Sequence, residues 1–524
     1  VPKVQEQTLS HVTSVTIEAN DVQKRLNKLN VMKSIGPDMV SPRILKELSN
    51  EIAAVVTSIF QESVDKGTVP QLWKKANVTA IFKKGQKSNP LNYRPISLTC
   101  TLCKVLEGII RNTILDHLTS NDLICNNQFG FVPKRSTTLQ LVNVIEQWIS
   151  VLDNGGNIDA VYMDIMKAFD QVPKQRLLAK LSSCGIKNNL LCWIESFLTN
   201  RTFSVIVNGC ESSKGNVTSG VPQGSVLGPL LFLVYINDMP KEILSILYMF
   251  ADDTKVFREM NNDEDYSALQ SDLNILSQWS NDWMLNFHPE KCSVMHLGRT
   301  NPQNKYVLNG VELQQTSVER DLGVIFDDKL KFDEHIQCKI SKARQIWGLV
   351  RRSFTAIDTV TFPLLFKSLV RPHLEYANTV WFPALKGQST DIEKVQRSAT
   401  KQVPGLHDLP YKERLRILNL PTLKHRRRRG DLIETFKMMS GIYDQNAVPA
   451  FDNHPSTNPT RGHNLKIRQP MSKTNLGQNR LTSRVVSDWN SLPEDVIHAE
   501  TVNAFKNSLD DYFSNDPSVF DYDM

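Results

Sequence analysis

Apolar residues return every three to four positions over several long stretches of the chain. Ile44, Leu48, Ile52, Val55 and Ile59 form one such series and Gly67 follows it, so residues 43–66 read as a helix with a glycine stop. "CTLCKVLEGIIRNTILDHL" (100–118) is helical in the same way. Leu269, Leu273, Leu276, Trp279 and Trp283 fall on one stripe of an amphipathic helix. Strand-like runs lie between these: "VTAIF" (78–82), ending in the basic turn "KKGQK"; "IDAVYMDI" (158–165), after the turn "DNGGN"; and "FSVIVNG" (203–209). "LYMFADDTKVF" (247–257) fits a hairpin with Asp252 and Asp253 at its turn. Helices and strands mingle to about residue 327, and from 333 the pattern is mostly helical. From about 450 it turns polar and Asn/Pro-rich, as a linker would, before a last helix near 501–513. No internal repeat is visible.

Composition narrows the class. A chain of 524 residues is long enough for two to four domains. Hydrophobic residues at 40% and charged residues at 22% fit a folded protein rather than a disordered one. No run of about 18 apolar residues supports a membrane span; the longest, "VLGPLLFLVYI" (226–236), carries Gly and Pro. The start, "VPKVQEQ", has no signal-peptide character, and the chain reads as a piece of a longer polyprotein. Eight scattered cysteines read as reduced intracellular thiols, with Cys100 and Cys103 as helix-packing residues lacking a partner pair at zinc spacing. The net charge of +6 is uneven: Lys329 to Lys437 holds 22 Lys/Arg against 10 Asp/Glu, so the remainder is net acidic. A basic segment beside an acidic one suggests a polyanion-binding module next to a carboxylate-bearing one, although a solvated helical surface gives the same count.

Four features carry candidate chemistry. Asp252 and Asp253 repel each other between apolar runs, which either a solvated turn or a bound cation would relieve. Asp164 ends a strand in "MDIMKAFD" (163–170), roughly 85 residues before that hairpin. "SGVPQGSVLGPLLF" (219–232) is a Gly/Pro-punctuated loop with Gln223 at its tip, and glycines let backbone approach a ligand closely. "FKKGQKSNPLNYRPISL" (82–98) gathers Lys83, Lys84, Lys87 and Arg94, a group suited to a triphosphate. Each alone has an ordinary structural explanation.

In this order the features resemble the reverse transcriptases, most closely those of non-LTR (LINE-type) retrotransposons. The matching pieces are "NYRPISL", "NNQFGFVPKRST", "YMDIMKAFDQV", "GVPQGSVLGPLLFLVYINDM", "FADDTKV", "LNFHPEKC" and "RDLGV", spread over about residues 30–327. "KARQIWGLVRRSF", "RPHLEYANTVW" and "DWNSLPEDV" resemble the sequence that follows the polymerase in LINE chains. The resemblance implies an α+β right-hand polymerase of fingers, palm and thumb, with a small antiparallel palm sheet and a mainly helical basic C-terminal region. It implies RNA-directed DNA polymerase activity by two Mg²⁺ ions, with carboxylates as the hard oxygen ligands. Asp164, Asp252 and Asp253 become the catalytic carboxylates and metal ligands, Asp252 more directly than Asp253, with the Ile165 carbonyl as a further ligand. Phe169 becomes the residue under the incoming sugar that excludes a 2′-OH. Gln223 and Gly224 line the nascent pair, Arg94 and Lys83 (or Lys84) hold the triphosphate, and Lys291 protonates pyrophosphate. "VMHLG" (294–298) becomes the primer grip. Met166 departs from the small polar residue common at its position.

The expected domains are a helical extension (1–64), the reverse transcriptase fingers and palm (65–327), a basic helical thumb or connection region (328–445), and a linker with a C-terminal helical segment (446–524). Arg426, Arg427, Arg428 and Arg429 read as nucleic-acid contacts through phosphates or, equally, as an import signal. Expected partners are an RNA template, a DNA primer or target and dNTPs, with no membrane. An intracellular location is expected, nuclear with a cytoplasmic ribonucleoprotein stage. Endonuclease activity is expected from a separate or missing upstream domain. A decayed or domesticated copy that only binds RNA, and an RNA-templated RNA polymerase, are the competing readings.

Overall fold

The computed structural model describes residues 2–452 and 463–523. Its organising element is a five-stranded sheet, in the order Gln314–Gln315, Ser293–Leu297, Ile158–Met163, Asp253–Glu259 and Ile246–Phe250. Ile158–Met163 runs antiparallel to both neighbours, with Ile158 opposite Leu297 and Met163 opposite Thr254. All six of its residues are buried. Side chains alternate across a strand, and here the alternation divides two cores. Val161 and Met163 face one, while Ile158, Ala160 and Tyr162 face the other. The first core draws on residues up to Leu313. The second takes the helix Thr137–Asp153 and residues from Val324 to Val519.

A second sheet lies to the N-terminal side. Tyr93–Leu98 pairs antiparallel with Lys75–Phe82, which pairs parallel with Thr202–Val207. From Thr79 onward the strand Lys75–Phe82 is exposed, so the basic turn extends from the body of the molecule.

Most expected elements form, with residue-level differences. The helix expected over 43–66 forms as Pro42–Glu47 and Ser49–Asp65, and Gly67 ends it with φ 61°. Four of its five apolar residues nevertheless face outward: Ile44, Leu48, Val55 and Ile59 are 55%, 46%, 62% and 44% exposed, while Ile52 packs against the first core. The buried face is Val56, Phe60 and Val64, because Phe60 packs edge-on against Trp73 at 5.8 Å. The hairpin turn is Ala251–Asp252, since Phe250 already pairs with Asp253. The helix Asp263–Trp283 buries Leu269, Leu273, Leu276 and Trp283 as its stripe requires.

The expected boundaries at 64/65 and 445/446 fall inside a continuous core: Val64 and Val69 share the first, Tyr443 and Ala447 the second. Val22 and Leu26 of the helix Ala19–Asn27 belong to the first core. In the expected linker, residues 453–462 lie outside the described residues. The chain after them folds onto the second core with Ile467, Leu481, Trp489, Phe505 and Phe513. Asp153 accepts the backbone N–H groups of Lys473 and Thr474, and Glu146 accepts the Thr482 N–H and hydroxyl. Both carboxylates sit on the helix Thr137–Asp153, so the last segment is tied to the centre of the chain.

Candidate active site

Asp164 stands at the exit of the central strand, where a short bridge to residues 286–288 fixes its backbone. Met166 N–H donates to the Asn286 carbonyl at 2.9 Å and His288 N–H to the Asp164 carbonyl at 2.8 Å. Ile165 faces Phe287 in that bridge and makes neither bond, so its own carbonyl is directed away. Lys291, on the turn Pro289–Lys291, brings its ammonium 3.3 Å from Asp164 Oδ2.

Asp252 is on the hairpin turn and Asp253 begins the next strand. Ala251 holds φ 55°, a backbone region sparsely populated by residues with a β-carbon. The motif "NNQFGF" (126–131) supports it. Gln128 Oε1 accepts from Ala251 N–H at 2.9 Å and from Gly130 N–H at 2.8 Å. Phe129 N–H and Met249 carbonyl, and Met249 N–H and Asn127 carbonyl, add a further rung beside the strand Ile246–Phe250. A β-carbon at Gly130 would meet the Ala251 nitrogen at 2.5 Å, so glycine is needed for this approach.

The electrostatics couple the three carboxylates. Burial raises Asp252, the Asp164 charge raises it further, and Arg94 and Lys83 oppose this. Burial and the charges of Asp252, Asp321 and Asp164 push Asp253 up to about 6. Asp321 is held by a buried ion pair with Lys255, two residues along from Asp253. The structure thus brings Asp164, Asp252, Asp253, Lys291, Arg94 and Lys83 into one field. Among the described residues, no three acidic, histidine or cysteine side chains converge into a ready-made metal cage.

The Phe169 turn and the Gln223 loop are joined to each other. Phe169, in the short helix Ala168–Gln171, stacks on Phe232 with centroids 4.5 Å apart. Its carbonyl accepts from Val221 N–H at 2.8 Å, and Gln223 Nε2 donates to Asp170 Oδ1 at 3.0 Å. The Gln223 carbonyl accepts from Ser97 N–H at 2.8 Å, on the strand that carries Arg94. Gly224 has φ 112°, and a β-carbon there would collide with the Ser97 carbonyl. The loop is therefore pinned to both the Phe169 turn and the Arg94 strand.

Three residues given no role by sequence reasoning hold this arrangement: Gln128, Asp321 and Glu107. Glu107 is fully buried and accepts from Val226 N–H at 2.7 Å and Leu227 N–H at 3.0 Å, fixing the loop's exit into the helix Gly228–Ile236. The available signal was a lone carboxylate inside the apolar run "KVLEGII".

Arg426–Arg429 lie elsewhere, on the helix Leu423–Met439. Arg426 chelates Glu375 at 2.7 and 2.8 Å, Arg428 pairs with Asp488 and Asp516, and Arg429 pairs with Asp510 at 2.7 Å. Arg427 is 2% exposed and donates to Ser389. This differs from the expected open basic run: a helix sends four consecutive side chains in four directions, and here each direction meets protein. Cys100 and Cys103 are buried free thiols, and burial pushes Cys100 up to about 12.

Residues 81–326 match the family model of the reverse transcriptase (RNA-dependent DNA polymerase). The chain is 30% identical over 410 residues to the RNA-directed DNA polymerase from mobile element jockey of Drosophila melanogaster, covering 75% of this chain and 44% of that protein. The jockey polymerase of Drosophila funebris is likewise 30% identical, over 75% of this chain and 44% of its own length. The Pol polyprotein of the type-1 retrotransposable element R1 of Bradysia coprophila is 25% identical over 81% of this chain and 43% of its own length. The chain thus spans less than half the length of these curated relatives. Residues 81–326, the stretch that matches the reverse transcriptase model, hold Asp164, Asp252, Asp253 and the loop around Gln223, and the chain is similar over three quarters of its length to polymerases of mobile elements.

Proposed function

We propose that the chain is an RNA-directed DNA polymerase that extends a DNA primer on an RNA template. The observation that carries this is that Asp164, Asp252 and Asp253 share one end of the central sheet, where the Asp164 charge raises both of the others and Arg94 and Lys83 oppose the rise at Asp252. In this reading the central sheet is the palm, the basic hairpin belongs to the fingers, and the helix Asp333–Ser353 belongs to the thumb. That helix exposes Lys342, Arg344, Arg351 and Arg352, which would meet duplex phosphates in place of the four internally paired arginines.

The residues fit divalent cations. Three carboxylates offer hard oxygen donors, and their mutual repulsion is what a bound cation relieves. Asp164, Asp252, Asp253 and the Ile165 carbonyl would hold two Mg²⁺ ions, which activate the primer 3′-hydroxyl and neutralise charge on the departing pyrophosphate. Arg94 and Lys83 orient the triphosphate from the opposite side. Phe169 sets the floor under the sugar, with Phe232 behind it to stop it yielding. Gln223 and Gly224 form a rigid wall beside the base pair, and Lys291 is the proton donor to the leaving group.

Primer extension on an RNA template tests this directly, with dNTPs or rNTPs and with or without Mg²⁺. DNA product that requires Mg²⁺, and is lost in Asp164→Asn, supports the reading. RNA product would instead indicate an RNA-templated RNA polymerase. No product with either nucleotide, from protein that still binds RNA, would leave a binding protein.

A further inference from the structure

A second basic site lies away from the carboxylates. A cavity of about 440 Å³ opens where the helix Lys174–Ser183 begins, beside the start of the strand Thr202–Val207. Lys174, Arg201, Thr199, Asn200, Thr202 and Asn216 line it, and no carboxylate does. Its size is that of a small-ligand pocket. Its polar wall offers two cations, two hydroxyls and two amides.

The cations are held in place by hydrogen bonds to carbonyls and by an aromatic ring, and neither makes an ion pair among the described residues. Lys174 Nζ donates to the Val217 carbonyl at 3.0 Å. Arg201 donates to the Phe197 carbonyl at 2.9 Å and lays its guanidinium 4.9 Å over the Phe197 ring. Arg201 is 3% exposed and its second terminal nitrogen has no hydrogen-bond partner. Burial lowers Lys74, Lys174 and Arg201 alike, and the Arg201 charge lowers both lysines further. Among the groups that shift Arg201, Glu107 is the carboxylate, and its Oε2 is already engaged by the Val226 and Leu227 amides. Like charges gathered in a pocket without a carboxylate at its wall are stabilised by a bound anion.

We propose that this cavity is a phosphate-binding site, occupied by a phosphate of a nucleic-acid strand on its way along the N-terminal sheet. Lys75 pairs with Thr202 at the cavity end of the strand Lys75–Phe82, whereas Ile81 pairs with Arg94 near its other end. An eight-residue strand rises about 24 Å, so the cavity grips backbone well behind the triphosphate-facing group. Naming nucleic acid as the source rests on the polymerase reading; the phosphate chemistry does not.

Two probes are used on the intact chain: a fluorescein-labelled single-stranded uridine 12-mer followed by anisotropy over a salt series, and radiolabelled inorganic phosphate in equilibrium dialysis. Lys174→Gln should weaken the RNA several-fold and reduce the slope of log K against log salt by about 0.7, the value of one phosphate contact on a single strand. Asn216→Asp, at an exposed position, should weaken it too. Lys241→Gln, an exposed lysine absent from the cavity wall, should not. Phosphate binding lost in Lys174→Gln with RNA binding unchanged would assign the site to a free phosphate. Folded Lys174→Gln and Asn216→Asp proteins that match the wild type with both probes would overturn the proposal. Primer extension is read in parallel: wild type that binds but does not extend refutes the polymerase reading and leaves the cavity standing.

Discussion

Asp252 and Asp253 are neighbours with different surroundings. Asp252 feels Arg94 and Lys83, while Asp253 feels Asp321 and Lys255. Asp164→Asn and Asp252→Asn should each abolish primer extension with unchanged far-UV circular dichroism; retained extension would remove them from the site. Asp253 also has a cost for the apoprotein. Its carboxyl is pushed up to about 6, from about 3.9 in an unfolded chain. Between those values the folded protein holds a proton that the unfolded chain has lost. Stability from this group is therefore full below about 3.9 and is lost as pH rises through about 6. Asp253→Asn should stabilise the metal-free protein at pH 7 by about 1 kcal/mol, discounted for the exposure of its tip. Thermal melts in EDTA from pH 4 to 7.5 check this: the wild-type midpoint should fall relative to the variant across that window. Phe169→Val should admit ribonucleotides in competition with dNTPs. Because it vacates space against Phe232, it should also lower stability by about 1–2 kcal/mol.

Among the elements, what could be read from the sequence was period and polarity, not facing. The helix at Ser49–Asp65 has apolar residues on two sides, so spacing revealed the helix while Phe60 and Trp73 chose its buried face. The carboxylates were legible because adjacent like charges between apolar runs ask for a reason. Gln128 and Glu107 were not, because their partners, Ala251 and Val226–Leu227, are more than a hundred residues away in sequence. Glu107 acts through the loop that carries Gln223. Both amides donate to one Glu107 oxygen, so Glu107→Gln retains their acceptor while losing the charge, and should raise the KM for dNTPs modestly with kcat largely kept. Glu107→Ala leaves two buried N–H groups unpaired at a cost of about 1–3 kcal/mol each, and should lose kcat as well. Equal KM and kcat losses in both variants would indicate a purely structural role.

At the scale of the whole molecule, the central sheet is one partition serving two cores, so the C-terminal half is not an appendage to the stretch that matches the reverse transcriptase model. The segment 463–523 looks like a tail in sequence because its apolar residues are sparse. Trp489, Phe505 and Phe513 are nonetheless buried, and ion pairs close around them. Arg428 joins Asp488 and Asp516, and Arg484 clamps Asp431 with both side chains almost fully buried. Burial raises Asp431 and the Arg484 charge opposes that rise. Removing the arginine therefore strands a carboxylate in the core, and breaking a buried pair in this way costs about 3–5 kcal/mol. Arg484→Ala should lower the unfolding free energy from urea denaturation by that amount at pH 7, and adding Asp431→Asn should recover part of it. The same denaturation series should show primer extension failing together with the second core, because Tyr162 in that core lies two residues before Asp164, on the strand that leads into it. Extension that survives in urea after the second core has unfolded would show instead that the first core alone holds the carboxylates in place.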